Sequence, residues 1–98
     1  MSAPQENRVL SDSDVARDIN RLPHKIQEHF VELLILLKED VFHPLLHTKS
    51  LSPPFQGMFS FRIARDYRVG FKFHSSHVVL LLAVDRRDKI YQRVQRKK

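Results

Sequence analysis

Residues 58–73, which read MFSFRIARDYRVGFKF, alternate between apolar and polar side chains on both sides of a short interruption at residues 64–66. A period of two is typical of strands that bury one face and expose the other. The run therefore predicts an antiparallel β-hairpin with its turn at residues 64–66. Its apolar face holds Phe59, Phe61 and Ile63 before the turn and Tyr67, Val69, Phe71 and Phe73 after it.

Two helices are predicted upstream of this hairpin. Residues 11–14 offer N-capping oxygens, and the segment after them places Val15, Ile19 and Leu22 on one helical face. Pro23 ends the first helix and can begin the second, which is predicted over residues 23–38. The second helix carries one apolar stripe, formed by Ile26, Phe30, Leu33, Leu34 and Leu37. The apolar faces of both helices are therefore expected to pack against a sheet.

The remaining segments complete an α+β fold. Residues 8–10 predict a short strand, and the prolines and glycine within residues 40–57 predict a connecting loop. Residues 77–84 are apolar almost throughout and predict a strand buried on both faces. The C-terminal residues predict a basic helix, with Ile90 and Val94 on one face, along the open edge of the sheet. We therefore expect two N-terminal helices packed on a small, twisted, mainly antiparallel sheet.

The 98 residues are enough for one core, so residues 1–98 predict a single domain with residues 1–7 disordered. The absence of cysteine excludes disulfides, thiolate metal sites and a cysteine nucleophile. The apolar runs are too short to span a membrane, and MSAPQENR lacks the pattern of a signal peptide, so we expect a cytoplasmic protein.

Positive charge is concentrated in the C-terminal part of the chain. Residues 1–61 carry six Lys and Arg against eight Asp and Glu, whereas residues 62–98 carry eleven against three. This asymmetry points to a nucleic acid or an acidic protein partner.

Strand pairing predicts an arginine cluster on the polar face of the sheet. A turn at residues 64–66 places Arg62 directly across from Arg68, and a second turn at residues 75–76 places Arg68 across from about Ala83, with Arg87 further along the same face. Like charges that face one another are destabilising unless an anion relieves them. Gly70, on the same face, would let a ligand approach the backbone. The alternative is an ordinary solvated face with local pairing by Asp66 and Asp85.

These segments together resemble the RelE/ParE toxin superfamily, the toxic partners in bacterial type II toxin–antitoxin modules. The resemblance runs from about Arg8 to the C-terminus. Its motifs are Arg21-Leu22-Pro23, Leu51, Phe61-Arg62-Ile63, Asp66-Tyr67-Arg68-Val69, Asp85-Arg86-Arg87-Asp88 and Ile90-Tyr91.

RelE-type members of this superfamily are ribosome-dependent endoribonucleases that cut mRNA. The resemblance implies that Arg68 binds phosphate, that Arg87 acts as an acid or a stabilising charge, and that Tyr91 stacks on a base. Tyr91 is equally compatible with an anchor for the last helix. Arg62 and Ser60 stand where RelE has lysines, one of them assigned as general base. Because arginine holds its proton too tightly for that role, Arg62 is predicted to be an electrostatic clamp, and no residue is assigned to proton abstraction.

The resemblance leaves alternatives open. ParE-type members share the fold but inhibit DNA gyrase, and a catalytically degenerate toxin would only bind its antitoxin. In each case an acidic or amphipathic antitoxin is the expected partner, and the nuclease would also bind the ribosome and mRNA. No cofactor or metal is expected, since Pro44 disfavours a helical His43–His47 pair. RNA backbones are predicted to contact the remaining basic residues, which are Arg65, Lys72, Arg86, Arg93, Arg96, Lys97 and Lys98.

Overall fold

The computed structural model describes residues 6–53 and 55–97. Five strands form one sheet in the order β1-β5-β4-β3-β2, in which β1 is parallel to β5 and the other pairs are antiparallel. The strands are β1 (Arg8–Ser11), β2 (Lys49–Ser50), β3 (Met58–Ala64), β4 (Tyr67–Ser75) and β5 (Val78–Arg86), and the helices are α1 (Val15–Asn20), α2 (His24–Glu39) and α3 (Ile90–Gln95). The predicted α+β class is confirmed.

The N-terminal helices cover one face of this sheet. The apolar stripe of α2 faces inward, with Phe30, Leu33 and Leu37 buried against the odd-numbered side chains of β3 and β4. Of the predicted capping residues, Asp12 accepts a hydrogen bond from the Asp14 N–H at 3.2 Å, whereas Asp14 itself makes no side-chain hydrogen bond to the helix. Residues 1–5 of the predicted disordered segment lie outside the described residues. Asn7 is attached to the end of α2, where its side chain donates to the Leu37 carbonyl at 3.0 Å.

The central hairpin has the predicted pairing at its turn. Arg62 of β3 lies directly across from Arg68 of β4, as expected. Across the next ladder, Arg68 faces Asp85 and not Ala83, which pairs with Gly70. The strands turn at residues 76–77, and the ladder contains two irregularities, so the register moves by two positions. The shift of two holds from Arg68 to Gly70 and keeps Arg68 on its predicted face.

The predicted loop at residues 40–57 contains two elements that its prolines did not indicate. A 3₁₀ turn covers Pro44–Leu46, and β2 then pairs antiparallel with β3 at the edge of the sheet. In this pairing Lys49 lies opposite Ser60.

Helix α3 packs across the sheet face opposite α1 and α2, which corrects its predicted position along the open edge. Its buried residues Ile90 and Val94 lie over Gly70, and Val94 joins a second apolar cluster with Met58 and Leu82. Strand β5 is therefore buried on both faces, as predicted. The space above Gly70 is filled by the protein's own helix, so the prediction that a ligand approaches the backbone there is wrong. Along residues 6–53 and 55–97, no helix is both long and apolar enough to cross a membrane.

Candidate active site

A concavity of about 330 Å³ opens between the sheet and the start of α3. Arg68 reaches it from the beginning of β4, Arg87 from the segment after β5, and Tyr91 from α3. The backbone N–H of Arg87 donates to the Asp66 carbonyl at 2.9 Å, which ties the end of β5 to the β3–β4 turn. Three of the four predicted catalytic residues thus line the same cavity. Its lining consists of Lys49, Ser60, Arg68, Arg87, Asp88, Ile90 and Tyr91.

Arg68 is held in a fixed orientation by the turn that precedes it. Its Nη1 donates to the carbonyl oxygens of Ala64 at 2.8 Å, Arg65 at 3.0 Å and Tyr67 at 3.0 Å. These acceptors are neutral, so the guanidinium keeps its full charge. The arrangement preorganises a partly buried cation beside the cavity.

The electrostatic environment of Arg68 is strongly positive. Burial lowers the pKa of Arg68, and the neighbouring charges of Arg62 and Arg87 lower it further, while Asp66 and Tyr91 only partly oppose them. Within residues 6–53 and 55–97, no carboxylate forms an ion pair with any of the three arginines. The alternative in which Asp85 neutralises the cluster does not hold, because Asp85 is paired with Arg93. The lining of the cavity thus carries more cationic than anionic side chains.

Arg62, the fourth predicted catalytic residue, lies outside the cavity. It is exposed, and it lines a neighbouring groove of about 340 Å³ with His29 and His47. The charge of Arg62 still acts on Arg68, its partner across the hairpin. The structure therefore places the guanidinium groups of Arg68 and Arg87 in one cavity. Arg62 lies in the neighbouring groove.

The sequence left open whether Tyr91 anchors the last helix or presents its ring for stacking on a base. Ile90 is 1% exposed and anchors the helix to the sheet, whereas Tyr91 is 47% exposed. The Tyr91 ring lies 5.7 Å from the ring of Phe55, centroid to centroid. An exposed ring at the rim of a cationic cavity is suited to stacking on a base.

The chain matches no protein-family model and no curated protein. Among solved structures, a chain of the toxin–antitoxin complex RelBE2 from Mycobacterium tuberculosis is 30% identical to it, with a TM-score of 0.68 over 84% of this chain and 99% of that chain. This chain belongs to the RelE/ParE toxin superfamily. It is a toxin of a toxin–antitoxin system.

Two more distant structures show the same toxin fold. The YoeB/ParE toxin from Agrobacterium tumefaciens is 17% identical, with a TM-score of 0.70 over 81% of this chain and 96% of that chain. The archaeal RelE–RelB complex from Pyrococcus horikoshii contains a chain that is 21% identical, with a TM-score of 0.69 over 83% of this chain and 94% of that one.

In this toxin, a network of ion pairs fixes α3 and with it Tyr91. Arg93 binds both carboxylate oxygens of Asp18 through Nη2, at 2.9 and 2.8 Å, and donates from Nη1 to Asp85 at 2.9 Å. Asp18 is 4% exposed, and it also accepts a hydrogen bond from the Val84 N–H. Burial alone would lower the pKa of Arg93, but hydrogen bonds to Asp18 and Asp85 raise it overall. A second pair of bridges joins Lys97 to Asp12 and Asp14, at 2.7 and 2.6 Å.

This network includes two residues of the predicted RNA-binding surface of the toxin. Arg93 and Lys97 are occupied by internal carboxylates, so their charges are neutralised within the fold. Arg65 and Arg86 are exposed near the β3–β4 turn and the end of β5, and Lys72 is half-buried on the α3 side of the sheet. Arg96 is exposed beyond α3. Lys98 lies outside the described residues.

Lys49 is the lining residue of the toxin's cavity that sequence reasoning missed. It belongs to a two-residue strand, which is too short to show any periodicity, and it is separated from β3 by the loop before Met58. Its position opposite Ser60 is a product of tertiary pairing. Among the described residues, no group of three or more His, Asp or Glu side chains is placed to share a metal ion.

Proposed function

We propose that this toxin is an endoribonuclease that cuts mRNA on the ribosome and so inhibits translation. The observation that carries the proposal is the placement of Arg68, Arg87 and Tyr91 on one cavity in which no carboxylate neutralises either guanidinium among the described residues. Two cations and an exposed ring are complementary to a phosphate and its adjacent base.

The reaction is an internal transesterification of RNA. The 2′-oxygen attacks the adjacent phosphorus, the bond from phosphorus to the 5′-oxygen breaks, and the products end in a cyclic phosphate and a 5′-hydroxyl. The proton of the 2′-hydroxyl is lost to the surroundings, and the leaving 5′-oxygen gains one. Negative charge grows on the phosphorane oxygens in this step, so guanidinium groups that are already oriented lower the barrier.

Each named residue has a separate role in this proposal. Arg68, fixed by the turn carbonyls, binds a non-bridging phosphate oxygen. Arg87 stabilises the charge that develops on the phosphorane or the leaving oxygen. Tyr91 stacks on a base next to the scissile bond, and Arg62 contributes long-range attraction from the neighbouring groove.

Further basic side chains around the cavity are proposed to hold the RNA backbones of message and ribosome. Arg65 and Arg86 are exposed near the β3–β4 turn and the end of β5, and Lys72 and Arg96 extend the basic surface. Contacts of this kind carry no sequence information and make binding steeply dependent on salt.

An antitoxin is proposed as the neutralising partner of this chain. The related chains from Mycobacterium tuberculosis and Pyrococcus horikoshii come from toxin–antitoxin complexes. Here α2 exposes Val31 and Ile35 one turn apart, at 59% and 58%, and Phe42 is 60% exposed soon after the helix ends. Apolar side chains with this exposure suit an amphipathic segment.

A translating extract tests the proposed activity. Purified toxin should cut message at ribosome-bound codons and leave 5′-hydroxyl ends, and Arg87→Ala toxin should cut far less. Intact message together with accumulated broken DNA would overturn the nuclease proposal in favour of gyrase inhibition. Lys25→Ala, which removes one charge from α2 on the opposite sheet face, is the matched control for nonspecific electrostatic loss.

A further inference from the structure

The edge strand β2 brings a third cationic side chain to the cavity. Lys49 pairs directly with Ser60, and side chains in directly opposed positions lie on the same face of a sheet. Ser60 is 7% exposed and small, so it forms a floor that leaves the space above it open. Lys49 therefore lines the cavity on the β2 side of Ser60, and Arg68 and Arg87 line it on the other side.

We propose that Lys49 is a further catalytic residue whose ammonium group contacts the phosphate held by Arg68 and Arg87. This inference rests on the proposed ribonuclease function. Three cations on separate elements, β2, β4 and the segment after β5, would then enclose one phosphate from different sides.

The charges around Lys49 support this role. Asp88 is the one carboxylate lining the cavity, and its nearest cation is Arg86, at 4.0 Å. Within the described part of the chain, no carboxylate forms an ion pair with Lys49. The positive charges of Arg68 and Arg87 repel the ammonium group of Lys49. An anion bound between these three groups relieves the repulsion.

Lys49 acts in this proposal through its charge and transfers no proton. The ammonium donates a hydrogen bond to a non-bridging oxygen, and this bond strengthens as the phosphorane forms. Hydrogen bonds to charged groups contribute enough to change a rate by about 10- to 100-fold. The effect should be smaller than that of Arg68, because Lys49 is exposed and competes with water.

The test compares three variants in single-turnover cleavage of ribosome-bound message. Lys49→Gln removes the charge, Lys49→Arg keeps it in a group that does not lose its proton, and Lys25→Gln removes a charge from α2 on the opposite sheet face. We expect the cleavage rate at saturating toxin to fall about 10- to 100-fold for Lys49→Gln. Lys49→Arg and Lys25→Gln should cleave within a few-fold of wild type, and the pH profile of Lys49→Arg should keep the wild-type shape. Thermal unfolding of all three should match wild type, because each change alters an exposed side chain.

The outcomes separate this inference from the function on which it rests. Equal rates for Lys49→Gln and Lys25→Gln, with an active wild type, would overturn the role of Lys49 and leave the ribonuclease intact. Lys49→Arg as slow as Lys49→Gln would overturn the charge-only role. A wild-type toxin that cuts no message would remove the proposed function itself.

Discussion

Val94 of α3 occupies the place that a side chain at position 70 of β4 would fill. A Cβ atom at position 70 would overlap Val94 Cγ1 and would lie 3.6 Å from Ile90 Cδ1. Val94 is fully buried and β-branched, so rotation about its χ1 is restricted. Gly70 is thus the docking point of α3, the helix that carries Tyr91.

Gly70→Ala should therefore displace α3. Overpacking of a filled core typically costs about 1–3 kcal/mol of stability, and we expect a loss in this range from urea unfolding. The double variant Gly70→Ala, Val94→Ala should recover part of that loss, because the second change makes room for the added methyl group. Additive losses in the double variant would contradict the proposed contact.

Arg68 and Arg87 should respond differently to truncation. Each change to alanine should lower the cleavage rate by about 10²- to 10³-fold, since each removes one preorganised donor. Arg68→Ala should also lower stability, because three turn carbonyls lose their donor, whereas Arg87→Ala should unfold like wild type. Rates and unfolding curves measured on the same preparations separate the two effects. Full growth inhibition by both variants would refute the site.

Tyr91 should act through its ring. Base–aromatic stacking is typically worth about 1–3 kcal/mol, so Tyr91→Ala should slow cleavage by about 10-fold or more, and Tyr91→Phe should stay near wild type. Single-turnover rates on ribosome-bound message provide the comparison. A Tyr91→Phe toxin as slow as Tyr91→Ala would show that the hydroxyl is required and that stacking is not the main role.

Local periodicity predicted the parts of this fold in which one face is buried. The alternation in residues 58–73 placed Arg62 across from Arg68, because a tight turn leaves little freedom in register. The stripe on α2 was equally clear. What periodicity could not predict was β2, whose two residues carry no repeat, and the exact partner of Arg68 across β5, where two irregularities move the ladder.

Long-range contacts that the sequence did not reveal pair two residues of the predicted RNA-binding surface. Arg93 and Lys97 lie in a basic tail that resembles an RNA-binding segment, yet their partners Asp18 and Asp12 are 75 and 85 residues away in sequence. Asp12 was interpreted as a helix cap, and Asp18 was assigned no role. The packing of α3 across the sheet brings these distant residues together.

Asp18→Ala should strongly destabilise the toxin. The change removes both oxygens bound by Arg93 and the acceptor of the Val84 N–H. Breaking a buried pair by removing one partner costs about 3 kcal/mol or more. Urea unfolding gives this value, and Glu28→Ala is the matched control, since Glu28 pairs with His24 at an exposed position and should change stability by less than about 0.5 kcal/mol. Equal effects of the two variants would contradict the structural role of Asp18.

The bridges from Lys97 to Asp12 and Asp14 should make the attachment of α3 depend on pH. Hydrogen bonds from Lys97 lower the pKa of both carboxyls below the ordinary value of 3.8, and their bonds raise the pKa of Lys97 above 10.5. A carboxyl whose pKa is lower in the folded chain than in the unfolded chain stabilises the fold when the pH is above its unfolded pKa. That contribution is lost as the pH falls through the folded pKa. The raised pKa of Lys97 contributes to the stability of the fold at every pH below 10.5. It therefore causes no change in stability in the acid range.

Lys97→Met should consequently unfold at a lower temperature than wild type near neutral pH, and the difference should shrink as the pH falls from about 5 toward 2. Melting curves across this range provide the measurement, with Lys25→Met as a control for the loss of one positive charge without these carboxylates. A difference between wild type and Lys97→Met that stays constant down to low pH would show that the bridges contribute nothing. A difference that shrinks only for Lys97→Met would show that the carboxylates of residues 12 and 14 hold the C-terminal helix, and with it Tyr91, against the sheet.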